Sequence, residues 1–311
     1  MSSAGSDGLT VVKCGGAAGV DPARVCADVA ALVKAGGRVV LVHGGSAELE
    51  QLAGRLGVPQ RSITSRSGVT SRYTDDATLE VLTLTLAGQV KPALLVELAG
   101  HGVPAVGLTG IDAGLLRARR KTAIRARVDG RTVLVRDDHS GRIDEVDPAA
   151  LKVLLDAGIT PVVSPPALAE DGRPVNVNAD RAATAIAVAL GADRLVFLTA
   201  APGVLADPSD ESSRLDRYEL PAEGTPPGVG GGMVVKLIAA REALEGGVRE
   251  VLIADGRAED PVRRALTGLS TAVVIDPEAG TGSDAGSEDG SDAGSVAGSV
   301  AGSEAGGADH E

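Results

Sequence analysis

An α/β fold is predicted, built on a doubly wound, mainly parallel sheet with helices on both faces. Three observations predict it. Short β-branched runs alternate with helical stretches along the chain. Of the 311 residues 43% are hydrophobic but only 1% aromatic, so the core is assembled from Val, Leu, Ile and Ala. Tight glycine turns follow several strands at their carboxyl ends, where open α/β sheets gather ligands.

In chain order, residues 9–14 form the first strand, which Gly15-Gly16 breaks. Asp21 and Pro22 suit the N-cap and first position of a helix that runs to about residue 34. A strand at 38–43 ends at Gly44-Gly45, and a helix covers 47–56. Residues 74–100 form one long helix, with Asp75 and Asp76 at its positive end. A strand follows at 104–108, a hairpin ribbon around 131–136, a helix at 148–157, a strand at 160–164 and a helix at 180–190. Strands at 194–199, 250–254 and 271–275, with helices at 234–245 and 260–266, complete the pattern. Residues 277–311 are a Gly-Ser/Ala-Gly near-repeat with scattered acids, too poor in apolar mass to fold, and are expected to be a disordered tail.

Composition excludes several classes. The net charge is −12. Residues 277–311 hold eight acidic residues and no Lys or Arg, which leaves −4 (−12 minus −8) on the rest. No broad basic surface for nucleic acid is expected. Cys14 and Cys26 have neither metal-ligand spacing nor a disulfide pattern, which points to the reducing cytoplasm and to no protein-held metal. The first ten residues lack a signal-peptide pattern. No apolar stretch approaches the ~20 residues of a bilayer span, so no membrane partner is expected.

Four constellations can carry chemistry. Lys13 ends a buried strand, where a cation is costly without a negative partner, and Gly15 and Gly16 let backbone N–H groups approach an anion. A solvated lysine before an ordinary turn is the bland alternative. His43-Gly44-Gly45-Ser46 again joins a strand to a helix, whose free N–H groups suit a carboxylate or phosphate. His43 itself reads more readily as a core histidine. Asn176-Val177-Asn178-Ala179-Asp180 leads into a helix, with Asp180 either an N-cap or the charge that holds active-site lysines, or both. Gly230-Gly231-Gly232-Met233-Val234-Val235-Lys236 delivers a second lysine from a helix start. Lysines are scarce, with six against 24 arginines. Two of them beside glycine turns, with one aspartate and no Cys or His cluster, point to phosphoryl transfer. That reaction needs positioning and charge neutralisation more than a protein nucleophile.

Lys-x-Gly-Gly, His-Gly-Gly, Asn-x-Asn-x-Asp, Leu-Thr-x-x-Pro-Gly-Val and Gly-x-Met-x-x-Lys occur here in the order found in the amino acid kinase superfamily, which the sequence resembles over about residues 9–276. Within it, the sequence resembles the [LysW]-aminoadipate/[LysW]-glutamate kinases, relatives of N-acetylglutamate kinase. The segments that carry this are His43-Gly44-Gly45-Ser46-Ala47-Glu48, Ser71-Arg72-Tyr73-Thr74-Asp75, Arg119-Arg120-Lys121-Thr122-Ala123 and Ala254-Asp255-Gly256-Arg257. The resemblance implies a three-layer αβα sandwich of two lobes. Residues 1–190 would bind the acyl substrate and dimerise, and residues 191–276 would bind ATP. It also implies roles. Lys13 and Lys236 stabilise the transition state, and Asp180 organises them. Gly44, Gly45, Arg72 and Asn176 bind the acyl substrate. Gly15 and Gly16 lie near the transferring phosphoryl group. Thr199, Gly203, Gly232 and Met233 flank the nucleotide, with Mg²⁺ neutralising it. Ala200 stands where many relatives carry Asp or Asn.

By the same resemblance the reaction is ATP-dependent phosphorylation of the side-chain carboxylate of aminoadipate or glutamate borne by a small acidic carrier protein, in lysine or arginine synthesis. The basic run Arg117, Arg119, Arg120 and Lys121, with Arg125 and Arg127, is the expected dock for that carrier. A homodimer is expected. With few residues before the first strand, arginine-regulated hexamers are not. Free N-acetylglutamate as substrate, and a non-catalytic amino-acid or nucleotide sensor, are the alternatives.

Overall fold

In the computed structural model every residue of the first strand, β1 (Leu9–Cys14), is buried. A strand with no polar face needs cover on both sides, and the chain supplies it. The structure describes residues 8–16, 19–64, 70–128 and 131–276, with the backbone alone at 124–128 and 131. After β1 come α1 (Pro22–Lys34), β2 (Arg38–His43), α2 (Ser46–Leu56), β3 (Arg61–Thr64) and β4 (Thr70–Tyr73). Helix α3 (Asp76–Thr85) continues through a π-helical turn (Leu86–Val90) into α4 (Lys91–Gly100). Next are β5 (Ala105–Gly110), β6 (Leu116–Arg120), β7 (Ile124–Val128), β8 (Arg131–Val135), β9 (Gly141–Val146) and α5 (Ala149–Asp156). Strands β10 (Thr160–Ala169) and β11 (Pro174–Val175), helix α6 (Ala179–Leu190), β12 (Arg194–Thr199), β13 (Arg217–Pro221), α7 (Gly231–Glu245), β14 (Glu250–Asp255), α8 (Pro261–Leu266) and β15 (Thr271–Asp276) follow.

Eleven strands form one sheet in the order β13-β15-β14-β12-β1-β2-β10-β6-β9, with β5 and β11 also paired to β10. The centre is parallel: β1 lies between β2 and β12, with Lys13 level with Val42 and Phe197. Strand parity sorts the two faces. Val11, Val40, Leu195, Phe197 and Ile253 face one core with Leu151 of α5, Ile186 of α6 and Leu237 of α7. Val12, Leu41, Val196, Leu198 and Leu252 face the other, with Val25 and Val29 of α1, Leu94 and Leu98 of α4 and Val262 of α8. The expected three layers are therefore present. A separate antiparallel sheet, β4-β3-β7-β8, includes the hairpin expected around 131–136.

Three expectations change. The strand placed at 160–164 runs on to Ala169 through Pro165 and Pro166. Proline lacks a ladder donor and reads as a strand end. Here β10 changes partners at the prolines, pairing with β2 and β5 up to Ser164 and with β11 and β6 from Ala167 and Leu168. Asn178, not Asp180, is the N-cap of α6: its Oδ1 accepts from Asp180 N at 2.9 Å and Arg181 N at 3.1 Å. Finally, the helix Asp76–Gly100 is as long and apolar as a bilayer span, with 25 residues and a window of mean hydropathy 1.4, against the expectation that no such stretch exists. It is a core helix: Leu94 and Leu98 pack under the sheet, and Leu82 and Leu86 pack on Leu49 of α2. The proposed tail at 277–311 lies outside the described residues.

Candidate active site

Lys13 shares the parity of Val11, so its side chain leaves β1 on the face covered by α6 and α7. That direction decides its partner. Lys13 Nζ is 2.7 Å from Asp180 Oδ1, and Lys236 Nζ is 3.0 Å from Asp180 Oδ2. Lys13 forms an ion pair with Asp180, and Lys236 both pairs with it and donates a hydrogen bond to Oδ2. Lys236 also lies 5.2 Å from the Phe197 ring centroid. The three side chains are only 9%, 10% and 7% exposed for Lys13, Asp180 and Lys236. Burial by itself would raise the Asp180 carboxyl, but Lys13 and Lys236 outweigh it and hold it well below the usual carboxylate range. Burial lowers Lys236, with Asp180 opposing and Lys13 assisting. One carboxylate thus keeps two cations together in a low-dielectric site.

The two glycine turns meet above this triad. A Cβ on Gly16 would lie 2.4 Å from Gly45 N and 2.8 Å from Ser46 N, so only glycine brings those backbone nitrogens so close. A Cβ on Gly15 would strike Leu198 O at 2.7 Å. Ser46, not singled out from sequence, donates its hydroxyl to Gly16 O at 2.6 Å, and Ala47 N donates to the same oxygen at 3.0 Å. Gly45 has no side-chain cap to offer α2, which begins at Ser46. His43 is a core histidine, as read: it is 1% exposed and donates Nδ1–H to Gly44 O at 2.9 Å. Burial pushes its pKa down to about 4, and Nε2 has no hydrogen-bond partner.

Beside these turns opens a cleft of about 690 Å³. Gly44, Gly45, Arg72 and Asn176, the expected acyl-binding residues, all line it. Lys13, Asp180 and Lys236 do not line it, although Ala179 and Val235, the residues just before Asp180 and Lys236, do. Arg72 projects from β4 toward Gln60 Oε1 and Glu50 Oε1, the latter at 3.4 Å. Asn176 donates Nδ2 to Thr74 Oγ1 at 3.0 Å. Lys121, Arg142 and Arg181 also line the cleft, so cations outnumber its acid, Glu242. Arg181 pairs with Glu242 and joins α6 to α7. Sequence alone offered no signal for Arg142 or Arg181, because neither sits in a motif.

Thr199, Gly203, Gly232 and Met233, expected at the nucleotide, do not line this cleft. Thr199 ends β12 opposite Asp255, and its carbonyl accepts from Gly256 N at 2.8 Å. Gly232 and Met233 open α7 behind the N-cap Gly230, which offers no side-chain cap. Such a terminus presents N–H groups to an anion. Gly231 needs its freedom, at φ 55°. Gly203 is buried, and a Cβ there would meet Thr271 Oγ1 at 2.4 Å, so it also has a packing reason to be glycine. Arg257 holds the loop beyond β12, with Nη1 at 2.7 Å from Glu211 Oε1 and Nε at 2.8 Å from Asp255 Oδ1.

The basic run does not form one face. Arg117 and Arg119 are exposed and meet Glu145 at 4.0 Å and Asp144 at 3.2 Å on β9. Arg120 turns the other way and donates Nε to Asp138 O at 3.1 Å, while Lys121 reaches the cleft. Strand alternation splits the run. The side chains of Arg125 and Arg127 lie outside the described residues.

A fold of this kind, with a buried Lys-Asp-Lys triad behind two facing glycine turns, is that of a phosphoryl-transfer enzyme. The model of the Amino acid kinase family matches residues 8–255, and the chain belongs to that family. It is an ATP-dependent, carboxyl-phosphorylating kinase of amino-acid biosynthesis. The [LysW]-aminoadipate kinase of Thermus thermophilus is 40% identical over 85% of this chain and 100% of its own length. The acetylglutamate kinase of Methanopyrus kandleri is 43% identical over 69% of this chain and 84% of its own. Among solved structures, N-acetylglutamate synthase from Neisseria gonorrhoeae superposes with a TM-score of 0.67 at 28% identity; the match covers 86% of this chain and 60% of the synthase.

Proposed function

We propose that the chain phosphorylates the side-chain carboxylate of aminoadipate or glutamate whose amino group is joined to a small acidic carrier protein. The observation that carries this reading is the relative named [LysW]-aminoadipate kinase, matched along its whole length at 40% identity. The cleft supports it, because Arg72, Lys121 and Arg142 give an acidic substrate a cationic lining.

In this reading the acceptor carboxylate lies at Gly44, Gly45, Arg72 and Asn176, and the nucleotide between the end of β12 and the start of α7. Lys13 and Lys236 neutralise charge on the transferring phosphoryl group, held for that task by Asp180. The acceptor oxygen attacks phosphorus, the bond to the nucleotide's bridging oxygen breaks, and ADP leaves an acyl phosphate behind. Gly16 and Gly45 keep the group on the line between the two substrates. Among the described residues no group of three or more His, Cys, Asp or Glu could hold a metal, so Mg²⁺ would ride on the nucleotide phosphates. A homodimer belongs to the same reading, and a sedimentation mass near twice 31.0 kDa tests it.

A hydroxamate assay that traps the acyl phosphate decides among acceptors. Turnover with carrier-linked aminoadipate or glutamate, and little with free N-acetylglutamate, is expected. The reverse order would transfer the chain to the acetylglutamate kinases, the second reading, which the Methanopyrus kandleri relative supports.

A further inference from the structure

Thr74 belongs to the motif that carries Arg72, yet no role has been assigned to it. It is 0% exposed, and each of its polar atoms is engaged. Its N–H donates to Asp138 Oδ1 at 2.8 Å, and its carbonyl accepts from His139 N at 2.7 Å. Its hydroxyl donates to Arg72 O at 3.3 Å and accepts from Asn176 Nδ2 at 3.0 Å. One oxygen therefore touches the Arg72 backbone and the Asn176 side chain, the two expected acyl-binding residues that are not glycines, with Asn176 lying 102 residues from Thr74.

The surroundings brace this hub. Asp138 is itself 0% exposed and takes the Ser140 hydroxyl on its other oxygen. Asn176 N donates to His139 O at 2.7 Å, and Gly141 N donates to Asn176 O at 2.8 Å. His139 Nε2 meets Asp76 Oδ1 at 2.8 Å, which ties the cluster to the first turn of α3. Every polar atom of Thr74 and both carboxylate oxygens of Asp138 have partners, and buried groups so satisfied are stiff, although His139 Nδ1 at the edge of the cluster has none. A binding constellation held by such partners keeps its geometry within about 0.5 Å.

We propose that Thr74, oriented by Asp138, is a positioning residue that sets the separation of Arg72 from Asn176 and so governs how the acceptor carboxylate is bound. The proposal rests on the reading of those two residues as the acyl subsite.

Steady-state kinetics on the full chain test it, with the best wild-type acceptor varied at saturating ATP, then ATP varied at saturating acceptor. Thr74→Val keeps the volume and removes the hydroxyl. It should raise acceptor KM about 10-fold, with KM for ATP changed by less than about twofold. Thr74→Ser, which restores the hydroxyl, should return acceptor KM close to wild type. Asp138→Ala should resemble Thr74→Val, and Asp138→Asn, which keeps an acceptor for the Thr74 N–H, should fall between. If Asp138→Ala does not fold, the Val/Ser pair at Thr74 decides alone. An unchanged acceptor KM in Thr74→Val, or an equal rise in both KM values, overturns the proposal. Arg72→Ala run alongside separates the two ideas. If it raises acceptor KM while Thr74→Val does not, the positioning role alone falls. If it leaves acceptor KM unchanged, the acyl subsite falls and the positioning role with it.

Discussion

Asp180 faces two lysines with one negative charge, so removing Asp180 leaves two buried cations without compensation, whereas removing either lysine leaves one balanced pair. Lys236→Ala should lower kcat at least ~10²-fold, by analogy with loss of a single oxyanion donor. Turnover near wild type would remove Lys236 from the reaction. Asp180→Asn should cost about 3–5 kcal/mol of stability, read by denaturant melts, because the two lysines then repel in a dry site. His43 makes a separate prediction. Its folded pKa, about 4, is below the ordinary value of 6.5. Below 6.5 the unfolded chain takes up a proton that the folded chain refuses, so stability falls as pH drops from 6.5 to 4. The full loss is about 3 kcal/mol. His43→Asn should flatten the stability profile over that window. The Asp180 contribution has the opposite origin, a depressed carboxylate, and erodes only below the ordinary carboxylate range.

The turn after β1 and the turn after β2 work as a pair, and their glycines are not equivalent. A methyl at Gly16 meets backbone at 2.4 and 2.8 Å, which cannot move without shifting the second turn. A methyl at Gly45 meets the side-chain ends of Leu86 at 2.8 Å and Val90 at 3.0 Å. Gly16→Ala should therefore cut kcat about 10-fold or more, whereas Gly45→Ala should cost chiefly stability, about 1–3 kcal/mol. Parallel melts and turnover measurements check the order. At this scale the motifs were legible because chemistry restricts them: Lys13 beside Gly15-Gly16, and Gly230–Lys236 before a helix. Strands β3, β6 and β9 were not legible. They are short, partly exposed and rich in charge, as in Leu116–Arg120, where Leu116 and Ala118 alone face inward. Their pairing depends on distant partners rather than on local pattern.

Across the whole molecule the charge of −12 is unevenly spent: Arg72, Lys121, Arg142 and Arg181 line the cleft beside one acid, Glu242, whereas Arg117 and Arg119 of the basic run face Glu145 and Asp144 on β9. Charge reversal at Arg119 and Lys121 tests which of these a carrier meets. Lys121→Glu should raise KM for a carrier-linked acceptor more than Arg119→Glu does, because Arg119 already faces Asp144 at 3.2 Å. Both effects should fade with added salt, and KM for ATP should not move. Equal carrier KM in wild type and both variants would remove this surface from docking.

Sequence alone determined the alternation of strands and helices, the order of the glycine turns and the two lysines that meet Asp180, because periodicity, glycine and buried charge are local demands. Only the tertiary structure decided that Asn178 caps α6 and frees Asp180 to hold both lysines, that the prolines of β10 sit where its partners change, and that Thr74 joins Arg72 to Asn176. The cap itself is local, but the lysine contacts of Asp180, the partner change of β10 and the Thr74 bridge depend on residues far apart in the chain, and only packing sets the distances between them.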